Sequence, residues 1–265
     1  MAAQPKPQNR PISNIVFVVA MQTEALPIVN RFQLTEDPHS PSVSLTLFSL
    51  GLRSLTLISV EGKWTFAFHV FTLIEVSIYA QWCRFPQGAP WVHYHGTFKD
   101  LNINLIWTGN DPTLGVDSIG TIPSALATYA AILALQPDLI INAGTAGGFK
   151  AKGASIGDIF VVSECAFHDR RIPIPIFDLY GVGLRKAFET PKLVKELNLK
   201  GAAIAYVADL LKVPAIFIKA VTNNVDDDKA IVEEFLQNLA ALTVELGLAV
   251  EQVINFINGK CISEL

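Results

Sequence analysis

The sequence predicts an α/β fold in which a mostly parallel β-sheet lies between layers of helices. Continuous apolar runs rich in β-branched residues, which are typical of strands buried on both faces, recur along the chain. Between them lie longer segments whose apolar residues repeat at helical spacing. Strands that alternate with helices in this way form largely parallel sheets with helices on both faces.

The apolar runs and the amphipathic segments place the individual elements. Buried strands are predicted at residues 15–20, 101–107, 138–143, 158–163 and 214–221. Helices are predicted at residues 21–32, 118–135, 201–211 and 229–258. Asn258 and Gly259 form a plausible C-cap for the last helix, because glycine is favoured just past a helix end.

Length, charge and cysteine content narrow the classes of function. A chain of 265 residues suits one domain with a single core, and we predict that residues 1–265 form it. The net charge is −4 and the basic residues form no stripe, so nucleic acid is not an expected partner. Cys83, Cys165 and Cys261 are odd in number and lack metal-site spacing, which argues against disulfides and a metal. The N-terminus lacks the apolar region of a signal peptide, and a cytoplasmic location is expected.

Residues 42–85 break the alternation of strands and helices. The segment is rich in aromatic residues and carries five charged residues, but its apolar residues follow no clean helical or strand period. The run at residues 64–80 is shorter than the ~20 apolar residues that a membrane span needs. The segment is either an insertion that binds a partner or a membrane surface, or sequence under no selection for folding.

A glycine-rich stretch, INAGTAGGF at residues 141–149, follows the third predicted strand. Such a turn lets backbone N–H groups approach a ligand closely. It matches neither the dinucleotide-binding fingerprint nor the phosphate-binding P-loop, and by itself it also fits a tight strand-to-helix turn.

A polar rim follows the last predicted strand, in IKAVTNNVDDDK at residues 218–229. Ligands of open α/β sheets bind outside the carboxyl ends of the strands, so this rim is a candidate site. Asp226, Asp227 and Asp228 are its acids, but they lie beyond the strand end. They also fit a solvated loop that caps the final helix.

Five motifs occur in order: AMQTEA (20–25), INAGTAGGF (141–149), GDIFVVSECAFHD (157–169), FDLYGVG (177–183) and GAAIAYVADLLKVP (201–214). Together they resemble the purine nucleoside phosphorylase/nucleosidase superfamily, and most closely its plant-type 5′-methylthioadenosine nucleosidases. The resemblance covers residues 10–41 and 86–265, with a break at one junction. It implies a three-layer α/β/α sandwich around a mixed sheet, a homodimer, and no metal or organic cofactor.

The reaction that the resemblance implies is hydrolysis of the N-glycosidic bond of 5′-methylthioadenosine, a small purine nucleoside, to adenine and methylthioribose. Because adenine leaves poorly unless protonated, one acid must protonate the base while one carboxylate activates water. Glu24 falls on the water-activating position; without the resemblance it reads as an exposed glutamate favoured by the helix dipole. The implied substrate-binding positions are Met21, Thr145, Ala146, Gly147 and Lys219, of which Lys219 also fits an ordinary strand-end lysine.

Two positions depart from the family pattern. Where the family has the aspartate that protonates adenine at N7, this chain has Asn223. An amide can donate a hydrogen bond to N7 but has no acidic proton to deliver. Where the family has a glutamate that binds the ribose hydroxyls, this chain has Lys200, preceded by Leu199.

The chain also passes directly from KELNL to GAA at residues 195–203. The family has a strand, a loop facing adenine and a helix between these stretches, so one strand of the fold and its adjoining elements are predicted to be missing. Together with the unpatterned residues 42–85, this suggests a variant gene model or splice product. The sequence therefore predicts either an impaired nucleosidase or a non-catalytic relative, such as a storage-like protein or a dead variant.

Overall fold

The structure is a computed structural model that describes residues 9–38, 85–86, 88–167, 178–197, 206–226 and 231–265. Its strands are β1 (Asn14–Val19), β2 (Thr35–Glu36), β3 (Val92–Phe98), β4 (Leu101–Trp107), β5 (Leu139–Gly148), β6 (Ile159–Val161), β7 (Glu164–Cys165), β8 (Arg185–Lys186) and β9 (Ala215–Asn224). Its helices are α1 (Gln22–Phe32), α2 (Thr121–Leu135), α3 (Asp178–Val182), α4 (Pro191–Leu197), α5 (Tyr206–Leu211) and α6 (Ile231–Ile257).

Seven strands form one mixed sheet in the order β2-β3-β4-β1-β5-β9-β6, and β7 pairs with β8 in a separate ribbon. The central pairs β4–β1, β1–β5 and β5–β9 are parallel. The outer pairs β2–β3, β3–β4 and β6–β9 are antiparallel. The parallel centre is the part that the apolar runs predict, because only strands buried on both faces read as continuous apolar sequence.

Two buried clusters lie on opposite faces of this sheet. On one face α1 and α6 cover Phe17, Ile141 and Ile218. On the other face α2 and α5 cover Val16, Ile140 and Phe217. Neighbouring strand residues thus point to opposite layers, and the predicted three-layer α/β/α sandwich is confirmed.

The antiparallel edge is the part of the sheet that the sequence patterns miss. β3 reads VHYHGTF, in which two histidines interrupt the apolar pattern, and it joins β4 through the two-residue turn Lys99–Asp100. Lys99 adopts a left-handed conformation in this turn, with φ of 54°. β5 is also longer than predicted: it continues through the glycines to Gly148, because β9 pairs with it along this whole length. The prediction of a turn in that stretch was wrong.

Helix α6 was predicted within two residues at each end. Val232–Ile257 is long and apolar enough to cross a membrane by length and composition alone, but half of the most apolar window is buried in the protein. Leu246, Val253 and Phe256 account for part of this burial, as the helical spacing predicts.

The two segments predicted to depart from the family fall largely outside the described residues. Of residues 42–85 only Phe85 is described, and residues 198–205 at the second junction are not described. The insertion and the missing strand therefore stay predictions.

A buried histidine lies in the antiparallel part of the sheet. His93 is 3% exposed; its Nδ1 lies 3.3 Å from Asp37 Oδ2 and its Nε2 lies 2.9 Å from Asn104 Oδ1. Burial lowers the pKa of His93, against the opposing effects of Asn104 and Asp37, and the neighbouring His95 lowers it further.

We expect this histidine to make the protein less stable in mild acid. The unfolded chain binds a proton at this histidine near the ordinary pKa of about 6.5, whereas the folded protein binds it only at lower pH. The free energy of unfolding therefore falls as the pH drops through about 6.5. Urea unfolding at a series of pH values measures the slope. His93→Gln should flatten the slope between pH about 7.5 and 5.5, whereas His95→Gln, at an exposed position, should leave most of it. An unchanged slope in the His93 variant would contradict the prediction.

Candidate active site

The candidate site lies where three neighbouring parallel strands end. β1, β5 and β9 are adjacent in the sheet, and their carboxyl ends carry the AMQTE, GTAGG and KAVTNN stretches. The structure thereby brings together Met21, Glu24, Thr145 and Lys219 with Asn223, as the sequence predicts for a site at this edge.

Glu24 is held in place by hydrogen bonds from two elements. The backbone N–H of Met21, at the N-cap of α1, donates to Glu24 Oε2 over 3.2 Å. The backbone N–H and the hydroxyl of Thr145 both donate to Glu24 Oε1, over 2.6 and 2.8 Å. Glu24 is only 3% exposed. The alternative of a solvated first-turn glutamate is therefore wrong, because this carboxylate turns inward and bridges α1 to β5.

The glycines of β5 leave the room that the other side chains occupy. A Cβ atom on Gly144 would lie 2.9 Å from Lys219 Nζ and 3.0 Å from Glu24 Oε1. A Cβ atom on Gly147 would lie 2.5 Å from Val225 Cγ1 and 3.3 Å from Asn223 Nδ2. A side chain at Gly147 would therefore displace Val225, and one at Gly144 would displace the ends of the Lys219 and Glu24 side chains. The GTAGG stretch is the strand against which the carboxylate, the ammonium and the amide all lie.

Lys219 is half-buried on β9, opposite Gly144 in the strand register. Burial lowers the pKa of the Lys219 ammonium, and the charges of Glu24 and Cys165 act in the opposite direction. Its place beside Glu24 favours a role at the site over that of an ordinary strand-end lysine.

Asn223 is 5% exposed and lies opposite Gly147. The hydroxyl of Thr222 donates to Asn223 Oδ1 over 3.0 Å in a buried hydrogen bond, and its distance to the Ala146 carbonyl oxygen is 3.4 Å. The amide oxygen is therefore engaged with a neighbouring side chain.

The acidic residues beyond β9 do not supply an acid to this cluster where they are described. Asp226 is exposed and accepts hydrogen bonds from the backbone N–H groups of Lys150 and Ala151, each over 2.8 Å. The bonds from Ala151 and Lys150 lower the pKa of the Asp226 carboxyl. Asp226 thus caps the short 3₁₀ turn Lys150–Lys152 after β5. Residues 227–230, which lead into α6, are outside the described residues, so the capping of the final helix by this acidic run stays a prediction. Asp227 and Asp228 lie outside the described residues.

Other predicted positions complete the description. Ala146 is half-buried and Gly147 is exposed, both at the end of β5. Lys200 lies outside the described residues, so its predicted place near the ribose stays a prediction. Within the described ranges, no group of three His, Cys, Asp or Glu side chains is placed to hold a metal ion.

The sequence patterns missed two contributors from helix α6. The Asn238 side chain donates to the Thr222 carbonyl, and the Glu234 carboxylate accepts from the Asn224 backbone N–H. Their spacing of four residues in the first turns of a helix that follows the site strand is the signal that could have found them.

Comparison with known proteins supports the resemblance. The sequence profile of the family described as "Phosphorylase superfamily" matches residues 67–199. The 5′-methylthioadenosine nucleosidase of Arabidopsis thaliana is 48% identical over 287 residues, covering 97% of this chain and 91% of that protein. The 5′-methylthioadenosine/S-adenosylhomocysteine nucleosidase of the same plant is 46% identical and covers 97% of each.

Solved structures agree. The apo structure of Arabidopsis thaliana 5′-methylthioadenosine nucleosidase superposes with a TM-score of 0.78 at 47% identity, covering 97% of this chain and 100% of that one. The Helicobacter pylori 5′-methylthioadenosine/S-adenosylhomocysteine nucleosidase has a TM-score of 0.60 at 15% identity, covering 93% and 100%, which shows a shared fold. This chain therefore belongs to the phosphorylase superfamily and, within it, to the plant 5′-methylthioadenosine nucleosidase family.

Proposed function

We propose that this chain is an N-glycosidase by descent that binds 5′-methylthioadenosine and hydrolyses it slowly, because its site has the water-activating carboxylate but lacks the acid. The observation that carries the proposal is the buried cluster at the ends of β1, β5 and β9. There Glu24 is fixed by Thr145 and faced by Lys219, and nearby lies a neutral amide, Asn223, at the position that the family resemblance assigns to the acid.

The chemistry divides between the two sides of the bond that breaks. Glu24 accepts a proton from a water molecule whose oxygen bonds to C1′ of the ribose. The C1′–N9 bond breaks with its electron pair going to the purine, which in this chain takes up its proton from solvent. Thr145 and Met21 orient the carboxylate before the reaction, and such preorganised groups act strongly in a shielded site. When protonated, Lys219 compensates the charge of the neighbouring Glu24 carboxylate.

Departure of the purine is the step that we expect to be slow in this chain. The departing electron pair is best received by a base that is protonated at N7, and Asn223 can only donate a hydrogen bond there. General acids and bases typically contribute about 10²–10⁴-fold each, so the parent chain is expected to fall short of its relatives by a factor of this order. Lys200, in place of the ribose-binding glutamate, weakens substrate binding further in this proposal.

The direct test measures free adenine by chromatography after incubation of the full-length chain with 5′-methylthioadenosine. We expect slow release that depends on Glu24. Release at the rate of the Arabidopsis relative would contradict the proposed impairment, and no release even after Asn223 is restored to aspartate would contradict the proposed activity.

A second candidate function is that of a non-catalytic family member that binds a purine nucleoside, as in a storage-like protein or a dead variant. The amide at position 223 favours it, since such a site retains a hydrogen-bond donor for the base without a proton to deliver. Binding of 5′-methylthioadenosine that shifts the melting temperature, without any adenine release, would distinguish it from the slow hydrolase.

We also propose that the chain forms a homodimer through helix α2 and the neighbourhood of α3. One face of α2 leaves apolar side chains in solvent, namely Ile122, Leu126, Tyr129 and Leu133, and Ile119 just before the helix is exposed as well. Leu179 in α3 is 88% exposed. Apolar patches of this kind mark protein interfaces, and a second copy of the chain fits the homodimer that the family resemblance implies.

We expect the full chain to have twice its monomer mass of 28.9 kDa in light scattering, and Leu126→Glu to give the monomer. The matched control is Leu236→Glu, at a similarly exposed position on α6, which should remain dimeric. A monomeric parent chain would overturn the proposal.

A further inference from the structure

The pairing of β9 with β5 is interrupted beside the candidate acid position. Ala146 pairs with Val221, and the next pair is Gly147 with Asn223, so Thr222 has no partner in the strand register. An extra residue of this kind is a β-bulge, which bends the strand and redirects the side chains that follow it. The direction in which the residue 223 side chain enters the site is therefore set at this irregularity.

Helix α6 supplies hydrogen bonds to both peptides that flank residue 223. Asn238 Nδ2 donates to the carbonyl oxygen of Thr222 over 2.9 Å. Glu234 Oε2 accepts from the backbone N–H of Asn224 over 2.9 Å, in a buried contact. Because Glu234 and Asn238 are four residues apart, both project from the same face of α6 towards the strand.

The burial of Glu234 distinguishes its contact with the Asn224 N–H from an ordinary helix cap. The side chain is 8% exposed although it lies in the first turn of α6, where glutamate is normally solvated. Its neighbours Glu233 and Gln237 are exposed, so burial is specific to the face that meets β9.

We propose that Glu234 and Asn238 are positioning residues for position 223, which hold the bulged end of β9 so that the residue 223 side chain is aimed into the site. This inference rests on the proposed function of the site. Placing a reacting group wrongly by about 1 Å can cost about 10²-fold in rate, so loss of either contact is expected to lower kcat by about 10- to 100-fold.

The test uses the full-length Asn223→Asp chain, in which the aimed group is an acid, and follows adenine release. Glu234→Leu and Asn238→Leu remove one hydrogen bond each and should lower kcat with little change in KM. Glu234→Gln keeps an acceptor oxygen and should restore kcat close to that of its Asn223→Asp background. Glu233→Leu and Gln237→Leu, on the exposed face of the same turns, should have no effect.

A double-mutant cycle distinguishes a change in the orientation of the residue 223 side chain from general damage to the fold. The loss of rate should be large when residue 223 is aspartate and small when it is asparagine, because an amide delivers no proton in either orientation. An equal fractional loss in both backgrounds, or no loss in either Leu variant, would overturn the inference.

Hydrogen exchange on the parent chain tests the contacts without any catalysis. Exchange of the Asn224 backbone N–H should accelerate in Glu234→Leu but not in Glu234→Gln, while the N–H groups of β1 stay protected. If the Asn223→Asp chain released no adenine, the proposed function would be wrong. The hydrogen-exchange rates would then be the test of whether Glu234 positions the end of β9. Unchanged exchange at Asn224 in Glu234→Leu would count against that role.

Discussion

Asn223→Asp is expected to raise the rate of adenine release from 5′-methylthioadenosine by about 10²–10⁴-fold over the parent chain, the range that a general acid typically contributes. Asn223 is buried against Gly147 at the end of β9, so a carboxyl group of the same size fits without new contacts. The hydroxyl of Thr222 can donate to the carboxyl as it does to the amide. The change therefore adds an acidic proton and leaves the shape of the site intact.

Initial rates at saturating substrate, measured side by side for the two chains, give this ratio. Asn223→Ala is the control, since it removes the hydrogen bond to the base without adding an acid and should be no faster than the parent. Equal rates for the parent and the Asn223→Asp chain would show that position 223 is not where the missing proton belongs.

Glu24→Gln in the Asn223→Asp chain is expected to lower kcat by about 10²–10⁴-fold, because it removes the group that accepts the proton from water. In the parent chain the N–H of Met21 donates to Glu24 Oε2. In the variant the amide oxygen can still accept from Thr145, but the NH₂ group then faces the N–H of Met21 and cannot accept from it. A fully buried donor left unsatisfied costs about 1–3 kcal/mol, and this partly buried one should cost less, so a modestly lower melting temperature is expected as well.

Glu251→Gln is the matched control for this loss. It also replaces a carboxylate by an amide, but it affects only the partly exposed ion pair with Arg31, with a separation of 2.7 Å, and such pairs contribute about 0–1 kcal/mol. Adenine release should be unchanged in that variant. A Glu24→Gln chain that retained its kcat would remove Glu24 from the mechanism.

The sequence patterns predict the fold where burial on both faces leaves a continuous apolar signal. Strand β4 was predicted with the observed bounds, and β1 and β9 within a few residues. The antiparallel strand β3 gave no such signal, because a buried histidine, His93, interrupts its apolar pattern. The hydrogen-bond partners of His93 are Asp37 and Asn104, which lie elsewhere in the sequence. A polar residue that is buried with a distant partner looks like a surface residue in the sequence.

The same limit applies to the candidate site. The family motifs placed Glu24, Lys219 and Asn223 near one another, and the structure brings them to the ends of adjacent strands. The motifs could not show that Asp226 bonds to the 3₁₀ turn after β5, since that contact joins residues 75 apart in the chain. The three aspartates form one acidic run in the sequence, but hydrogen-bond direction assigns Asp226 a structural task.

By itself the sequence determined the α/β class, the family and the absence of an acid at position 223, because each depends only on residue type and local order. Only the tertiary structure decided that Glu24 is buried on Thr145, that β5 remains a strand through its glycines, and that Glu234 and Asn238 hold the bulge beside Asn223. These depend on which atoms meet across the sheet and the helix that covers it. Hydrogen bonds between elements distant in the chain leave no periodic trace in the order of residues.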